Sequence, residues 1–165
     1  MGHKLFFAAV PGCDTISATA NQNGFTLLNA IARRFGWNSD LLCASVDRAN
    51  SETAVICVQE FSPRLILVPK LRSDSRIDAS RFMQEFFQIC KRIDSRTIQF
   101  THFGFLSKCP DLGVIEEVFQ ALYKLPEELQ DVDIFVDVDF RRNYYQLVQN
   151  IAHQISVKMV KKRNE

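Results

Sequence analysis

The stretch "HFGFLSKCPDLG", residues 102–113, gathers His102, Lys108, Cys109 and Asp111 within ten positions. An imidazole beside a thiol has the parts of a cysteine hydrolase. That chemistry needs a third group to orient the base, and none is visible, so the pair reads as a histidine ending a strand and an unrelated thiol. "DVDIFVDVDF", residues 131–140, places Asp137 and Asp139 two apart on a strand, where they share a face. Such a pair can hold a divalent ion, or serve as solvated strand ends and cap the next helix. "RRNYYQ", Arg141 to Gln146, offers aromatic rings with cationic support, as a nucleic-acid surface would. It equally reads as the solvated first turn of a helix with Tyr144 on the buried side. Asn21, Asn23 and Gly24 in "TANQNGF" suit contacts to a ribose or phosphate, and suit a turn just as well. Lys70 follows a β-like run in "ILVPK", and Asp111 precedes a helix-like run, where a carboxylate favours the helix dipole.

The elements that must position these groups belong to one ordinary globular domain. The chain has 165 residues, 47% hydrophobic and 24% charged, enough for a complete core and too apolar for disorder. Fourteen phenylalanines point to an aromatic core, and the net charge of +1 selects no partner. No apolar run approaches the roughly 18 residues of a membrane span, so no membrane partner is expected. "MGHKLFFAAVPGCD" enters a turn too early for a secretory signal and reads as a buried first strand. The five cysteines, Cys13, Cys43, Cys57, Cys90 and Cys109, are scattered and form no metal-binding spacing. Reduced thiols in an intracellular protein, cytoplasmic or nuclear, are the expectation. Nothing in the sequence calls for a cofactor or a metal.

Periodicity orders the elements. "KLFFAAV" is a strand ended by Pro11-Gly12. "FTLLNAIARRFG" is a helix with Leu28, Ile31, Ala32 and Phe35 on one face and Gly36 at its C-cap. "TAVICVQ" and "RLILVP" are strands joined through "EFSP". Phe82, Phe86, Ile89, Cys90 and Ile93 form a helical stripe, with Asp78 or Ser80 as N-cap. "TIQF" is a strand, and Ile115, Val118, Phe119 and Leu122 mark a helix closed by Pro126. "VDIFVDV" alternates as a strand, and Tyr144, Val148, Ile151 and Ile155 line a last helix.

This order predicts an α/β domain: a three-layer α/β/α sandwich around a mixed, largely parallel sheet with one antiparallel edge. Its boundaries are 1–157, followed by a basic tail at 158–165. Ligands of such sheets bind beyond the carboxyl ends of the strands. The expected rim is therefore "PGCDTISATANQNG" after Val10, "PKLRSDSRID" after Val68 and "THFGFLSKCPDLG" after Phe100.

From Arg64 to Ile155 this arrangement resembles the macro domain, the α/β/α module that binds ADP-ribose. The carrying segments are "RLILVPK", "TIQFTHFGF", "VIEEVFQAL" and "DIFVDVDFRRNYYQLVQNI"; "GFTLLNAIARRFG" is similar to the family's first loop and helix. Within the family the similarity is to the terminal ADP-ribose protein glycohydrolase branch. Lys70 matches that branch's lysine after a central strand, and Asp111 matches its loop aspartate. The resemblance implies that Lys70 is a nucleophilic amine and Asp111 its acid/base partner. It also implies ligand contacts at Asn21, Asn23, Gly24, Gly104, Phe105, Leu106 and Ser107. The implied partners are ADP-ribose or a related nucleotide, and an ADP-ribosylated protein; nucleic acid is the alternative. The loops depart from the family pattern. Gly24 is the one glycine in the first, and Phe105 and Leu106 stand where the second carries small residues. A strand that the family places before its first loop has no counterpart in this reading. The two functions in view are thus a nucleotide-binding module with weak ADP-ribosyl hydrolase activity, and a degenerate, non-catalytic domain that binds protein or nucleic acid.

Overall fold

The computed structural model describes residues 4–7, 12–20, 25–70, 75–100 and 112–136, together with Gln146, Gln149, Asn150, His153 and Gln154. Six strands and four helices follow one another along these residues. The strands are β1 (Lys4–Phe7), β2 (Thr15–Ala20), β3 (Ile56–Val58), β4 (Arg64–Pro69), β5 (Thr97–Phe100) and β6 (Asp133–Val136). The helices are α1 (Phe25–Phe35), α2 (Ser39–Glu52), α3 (Ser75–Arg92) and α4 (Leu112–Tyr123), with a 3-10 turn at Glu127–Leu129. One mixed sheet runs in the order β1-β6-β5-β2-β4-β3. Every neighbouring pair is parallel except β3–β4, which forms the expected antiparallel edge.

The layers follow from which side chains each strand turns to each face. On one side Ile16, Ala18, Ala20, Leu65 and Leu67 pack against Leu28 and Ala32 of α1 and Leu42, Val46 and Ala49 of α2. On the other, Ile66, Val68, Ile98, Phe100, Ile134 and Val136 pack against Phe82, Met83 and Phe86 of α3 and Val118, Phe119 and Leu122 of α4. The central strands β2 and β4 are covered on both faces, as strands inside a parallel sheet require. The aromatic core expected from the phenylalanine count lies on the α3/α4 side, where Phe86 meets Phe100 edge-on at 5.6 Å between ring centroids. A smaller aromatic group closes the other side. Trp37 stacks on Phe61 at 4.7 Å and lies 5.8 Å from Phe35, while its indole N–H donates to the Ser62 carbonyl at 3.4 Å.

Two elements depart from the sequence reading. "TISATA" was expected to be part of a long loop; it is β2, completely buried and central in the sheet. The strand that seemed to lack a counterpart is therefore present. Its side chains are small because both faces are crowded. Thr15, Ser17 and Thr19 turn to the α3/α4 side, in register with Arg64, Ile66 and Val68 of β4, and leave room for the phenylalanines there. The second departure is α2, whose buried face is only Leu42, Ser45, Val46 and Ala49. The spacing is helical, but two of the four are a serine and an alanine. Its start is secured by Asn38, whose side chain accepts from the Leu41 N–H at 2.9 Å. The helix expected to begin at Asp78 or Ser80 begins at Ser75 instead, so neither is its N-cap; Asp78 lies in the first turn and is buried. The described residues beyond 136 are helical and exposed at spacings of three and four, which is the polar face of the last expected helix.

The amino ends of the three central strands meet at Asp14. Its carboxylate accepts from Thr15 Oγ1 at 2.6 Å, Ser95 Oγ at 2.7 Å, the Arg96 N–H at 2.9 Å, the Thr97 N–H at 3.2 Å and Arg64 Nη2 at 3.3 Å. Asp14 also donates its own N–H to Thr97 Oγ1 at 2.9 Å, and Arg64 Nη1 continues to the Ile93 carbonyl at 2.7 Å. Burial pushes this carboxyl up, but the hydrogen bonds from Thr15, Arg96, Ser95 and Thr97 outweigh it and hold the group below its ordinary value. Asp14→Ala is expected to cost about 2–3 kcal/mol of stability, measured by denaturant unfolding, because donors near the sheet edge lose a charged acceptor. The folded protein holds this proton more weakly than the unfolded chain, so acid favours unfolding. The contribution is complete above the unfolded value of about 4 and drains away as the pH falls through the lower folded value. Between about pH 5 and 3 the melting temperature of the wild type should therefore fall more steeply than that of Asp14→Asn.

Candidate ligand site

The chain leaves β2 and β5 in opposite directions. β2 leads to α1, which packs on one face of the sheet, and β5 leads to α4, which packs on the other. The two strands are adjacent and parallel, with Thr15 opposite Ile98 and Ser17 opposite Phe100. Where neighbouring parallel strands send their connections to opposite faces, the carboxyl edge opens into a crevice, and ligands of open α/β sheets bind there. Both following helices start at this edge. Neither α1 nor α4 has an acidic residue in its first turn, whereas α3 has Asp78. Asp111 directly precedes α4 in the chain, and both N-termini lie beside the crevice, where their dipoles favour an anion.

Of the residues singled out in the sequence, Lys70 is described. It is exposed and stands immediately after β4, next to β2 at the carboxyl edge. Its backbone N–H donates to Asn50 Oδ1 at 3.0 Å. The described neighbours leave its side chain in solvent. Asp111, Asn21, Asn23, Gly24, Gly104, Phe105, Leu106 and Ser107 lie outside the described residues, as do His102, Cys109, Asp137, Asp139, Arg141 and Arg142. The chain nevertheless assigns two of these groups to an edge. Residues 21–24 connect β2 to α1, and residues 101–111 connect β5 to α4. The rim stretch expected after Val10 is corrected accordingly: Gly12 to Asp14 precede the amino end of β2, and its carboxyl end delivers Asn21–Gly24.

Asn50 was not singled out by sequence reasoning. It lies in the last turn of α2, and its side-chain amide donates to the Ala20 carbonyl at 2.6 Å while accepting from Lys70. An asparagine near a helix end carries no distinctive spacing, so only the fold exposes its role. Of the described thiols Cys90 is buried, Cys13 and Cys57 are half-buried and Cys43 is exposed. Burial pushes Cys90 up to about 12, and Cys57 and Cys13 are also raised, chiefly by burial. Among the described residues no group of three His, Cys, Asp or Glu is placed to hold a metal ion. A recess of about 540 Å³ opens at the opposite, amino edge, lined by Lys91, Asp94, Arg96, Glu128, Asp131 and Asp133 among others. Its charges are mixed, and Lys91 pairs with Glu128 at 3.5 Å.

No family model matches the chain, and no curated protein matches it in sequence. Solved structures do match. A single-site mutant of the Oceanobacillus iheyensis macrodomain, solved with ADPR, has a TM-score of 0.66 at 15% identity, covering 92% of this chain and 91% of that one. The macro domain of ganglioside induced differentiation associated protein 2 gives 0.62 at 12% identity, covering 89% and 82%. The macrodomain of Mycobacterium tuberculosis DarG gives 0.56 at 12%, covering 82% and 98%. The chain has the macrodomain fold.

Proposed function

We propose that this protein is a binding module for ADP-ribose or a related nucleotide, held in the crevice between β2 and β5. The observation that carries the reading is the pair of helices, α1 and α4, that start from adjacent strands on opposite faces without an acid in either first turn. A diphosphate is the ligand group that two helix N-termini at one crevice accommodate best. Macrodomain structures of the same fold with ADPR and with ADP support the choice of nucleotide. In this reading the diphosphate lies between residues 21–24 and residues 104–113, with Asn21, Asn23, Gly24, Gly104, Phe105, Leu106 and Ser107 as the contacts. Lys70 stands at the same edge.

The finer reading is a weak ADP-ribosyl hydrolase on a modified protein. Lys70 would attack the anomeric carbon of the linked ribose as its bond to the modified protein breaks, Asp111 would protonate the departing group, and water would then hydrolyse the lysine adduct to free ADP-ribose. Lys70 is exposed, so a bound substrate must cover its amine before the amine can act as a nucleophile. A second reading, a non-catalytic surface for protein or nucleic acid, is favoured by loop composition: Phe105 and Leu106 are bulky where the resemblance implies small residues.

Titration calorimetry with free ADP-ribose decides between them. One-to-one binding below about 1 mM, the affinity that corresponds to roughly 4 kcal/mol, is expected; no heat at millimolar ligand rejects the nucleotide reading. Phe105→Gly should tighten binding by about tenfold, or 1.4 kcal/mol, by clearing the second loop.

For the hydrolase, release of ADP-ribose from a modified protein should vanish in Lys70→Ala and in Asp111→Ala, with the double variant little worse than either. Free ADP-ribose should still bind Lys70→Ala. Release that survives in Lys70→Ala overturns the lysine mechanism.

A further inference from the structure

The sheet's hydrogen-bond ladder stops short at the edge that carries the crevice. Ala20 is the last residue of β2 and sits opposite Pro69, the last residue of β4. The β2–β4 ladder begins with the Arg64 N–H donating to the Asp14 carbonyl at 3.1 Å, and in parallel strands every second residue donates to the same neighbour, so steps of two bring the Lys70 N–H to the Ala20 carbonyl as the next rung. Asn50 stands in that rung's place. Its Nδ2 donates to the Ala20 carbonyl at 2.6 Å, and its Oδ1 accepts from the Lys70 N–H at 3.0 Å. One carboxamide uses a donor on one strand and an acceptor on the next, in the place of a missing rung. The end of α2 that carries Asn50 is anchored as well. Thr53 caps α2 in the left-handed conformation, and Arg81 Nη2 of α3 donates to the Thr53 carbonyl at 2.9 Å. The position of Asn50 is thus fixed by helices from both layers.

We propose that Asn50 is a positioning residue of the carboxyl-edge site. It sets the backbone at Lys70 and at the exit of β2, so that the groups leaving both strands meet a ligand in one arrangement. The ligand in question rests on the nucleotide reading above, but the clamp operates in the free protein. Asn50→Ala removes both hydrogen bonds. Asn50→Asp separates them: a carboxylate still accepts from the Lys70 N–H and faces the Ala20 carbonyl with a second acceptor instead of a donor.

The experiment has two readouts. The first is amide hydrogen exchange of the unliganded protein by NMR. The Lys70 amide should exchange at least about tenfold faster in Asn50→Ala than in the wild type, remain protected in Asn50→Asp, and leave the amides of Ile66 and Val68 unchanged in both. A general loss of stability would speed all of these together. The second is calorimetry with ADP-ribose. Affinity should fall about tenfold in Asn50→Ala, while Leu129→Ala, at a buried position of the 3-10 turn away from the crevice, lowers stability and leaves affinity unchanged. Equal Lys70 exchange in all three proteins overturns the proposal, as does unchanged affinity in Asn50→Ala. If the wild type binds no ADP-ribose, the nucleotide reading fails and the exchange of the Lys70 amide alone decides the clamp.

Discussion

The carboxylate of Asp14 is the point on which the three central strands agree. It precedes β2, receives the guanidinium that begins β4, and accepts the backbone N–H groups of Arg96 and Thr97 where β5 starts. Parallel strands are not joined by short turns, so nothing local sets their relative stagger. A single charged acceptor with donors from three segments does so here. Once these ends are aligned, the register carries Thr15 opposite both Arg64 and Ile98 and brings Ala20 level with Pro69. The far edge inherits its geometry from this one.

The composition of β2 is the second constraint. A central strand has to fit between two packed layers. This one does so with alanines under α1 and α2, and with two threonines and a serine under the phenylalanines of α3 and α4. Small side chains at the middle of the sheet and large ones around it keep both cores filled. They also explain why helices can leave β2 and β5 on opposite faces while the strands themselves stay in contact.

These two constraints account for what the sequence revealed and what it withheld. Arg64–Pro69 and Thr97–Phe100 were legible to the residue, because bulky apolar runs between turn signals have few other readings. The antiparallel edge was legible from the short "EFSP" connection. β2 was hidden although "TISATA" alternates polar and apolar, because its apolar positions are one isoleucine and two alanines, too small to stand out among threonines and a serine of the kind loops also carry. α2 was hidden because a serine and an alanine occupy half of its inner face. Missing β2 also misdrew the first rim loop, since it put Gly12 and Asn21 in one segment when they belong to opposite edges. At the site, Lys70 could be placed from its position after a strand. Asn50 could not, because its importance arises only when Pro69 and Ala20 lie side by side.

Trp37 is the one tryptophan of the chain, and it is buried against Phe61 with its indole bonded to the carbonyl of Ser62, two residues before β4 begins. Its surroundings therefore belong to the amino edge, the length of the sheet away from the crevice. Indole emission responds to the polarity around the ring, so this residue is a built-in optical reporter of one edge alone. It will register the opening of the domain and stay quiet to a change confined to the opposite edge. Filling of the crevice has to be followed by another signal, and an unchanged emission spectrum on adding a ligand says only that the fold has held.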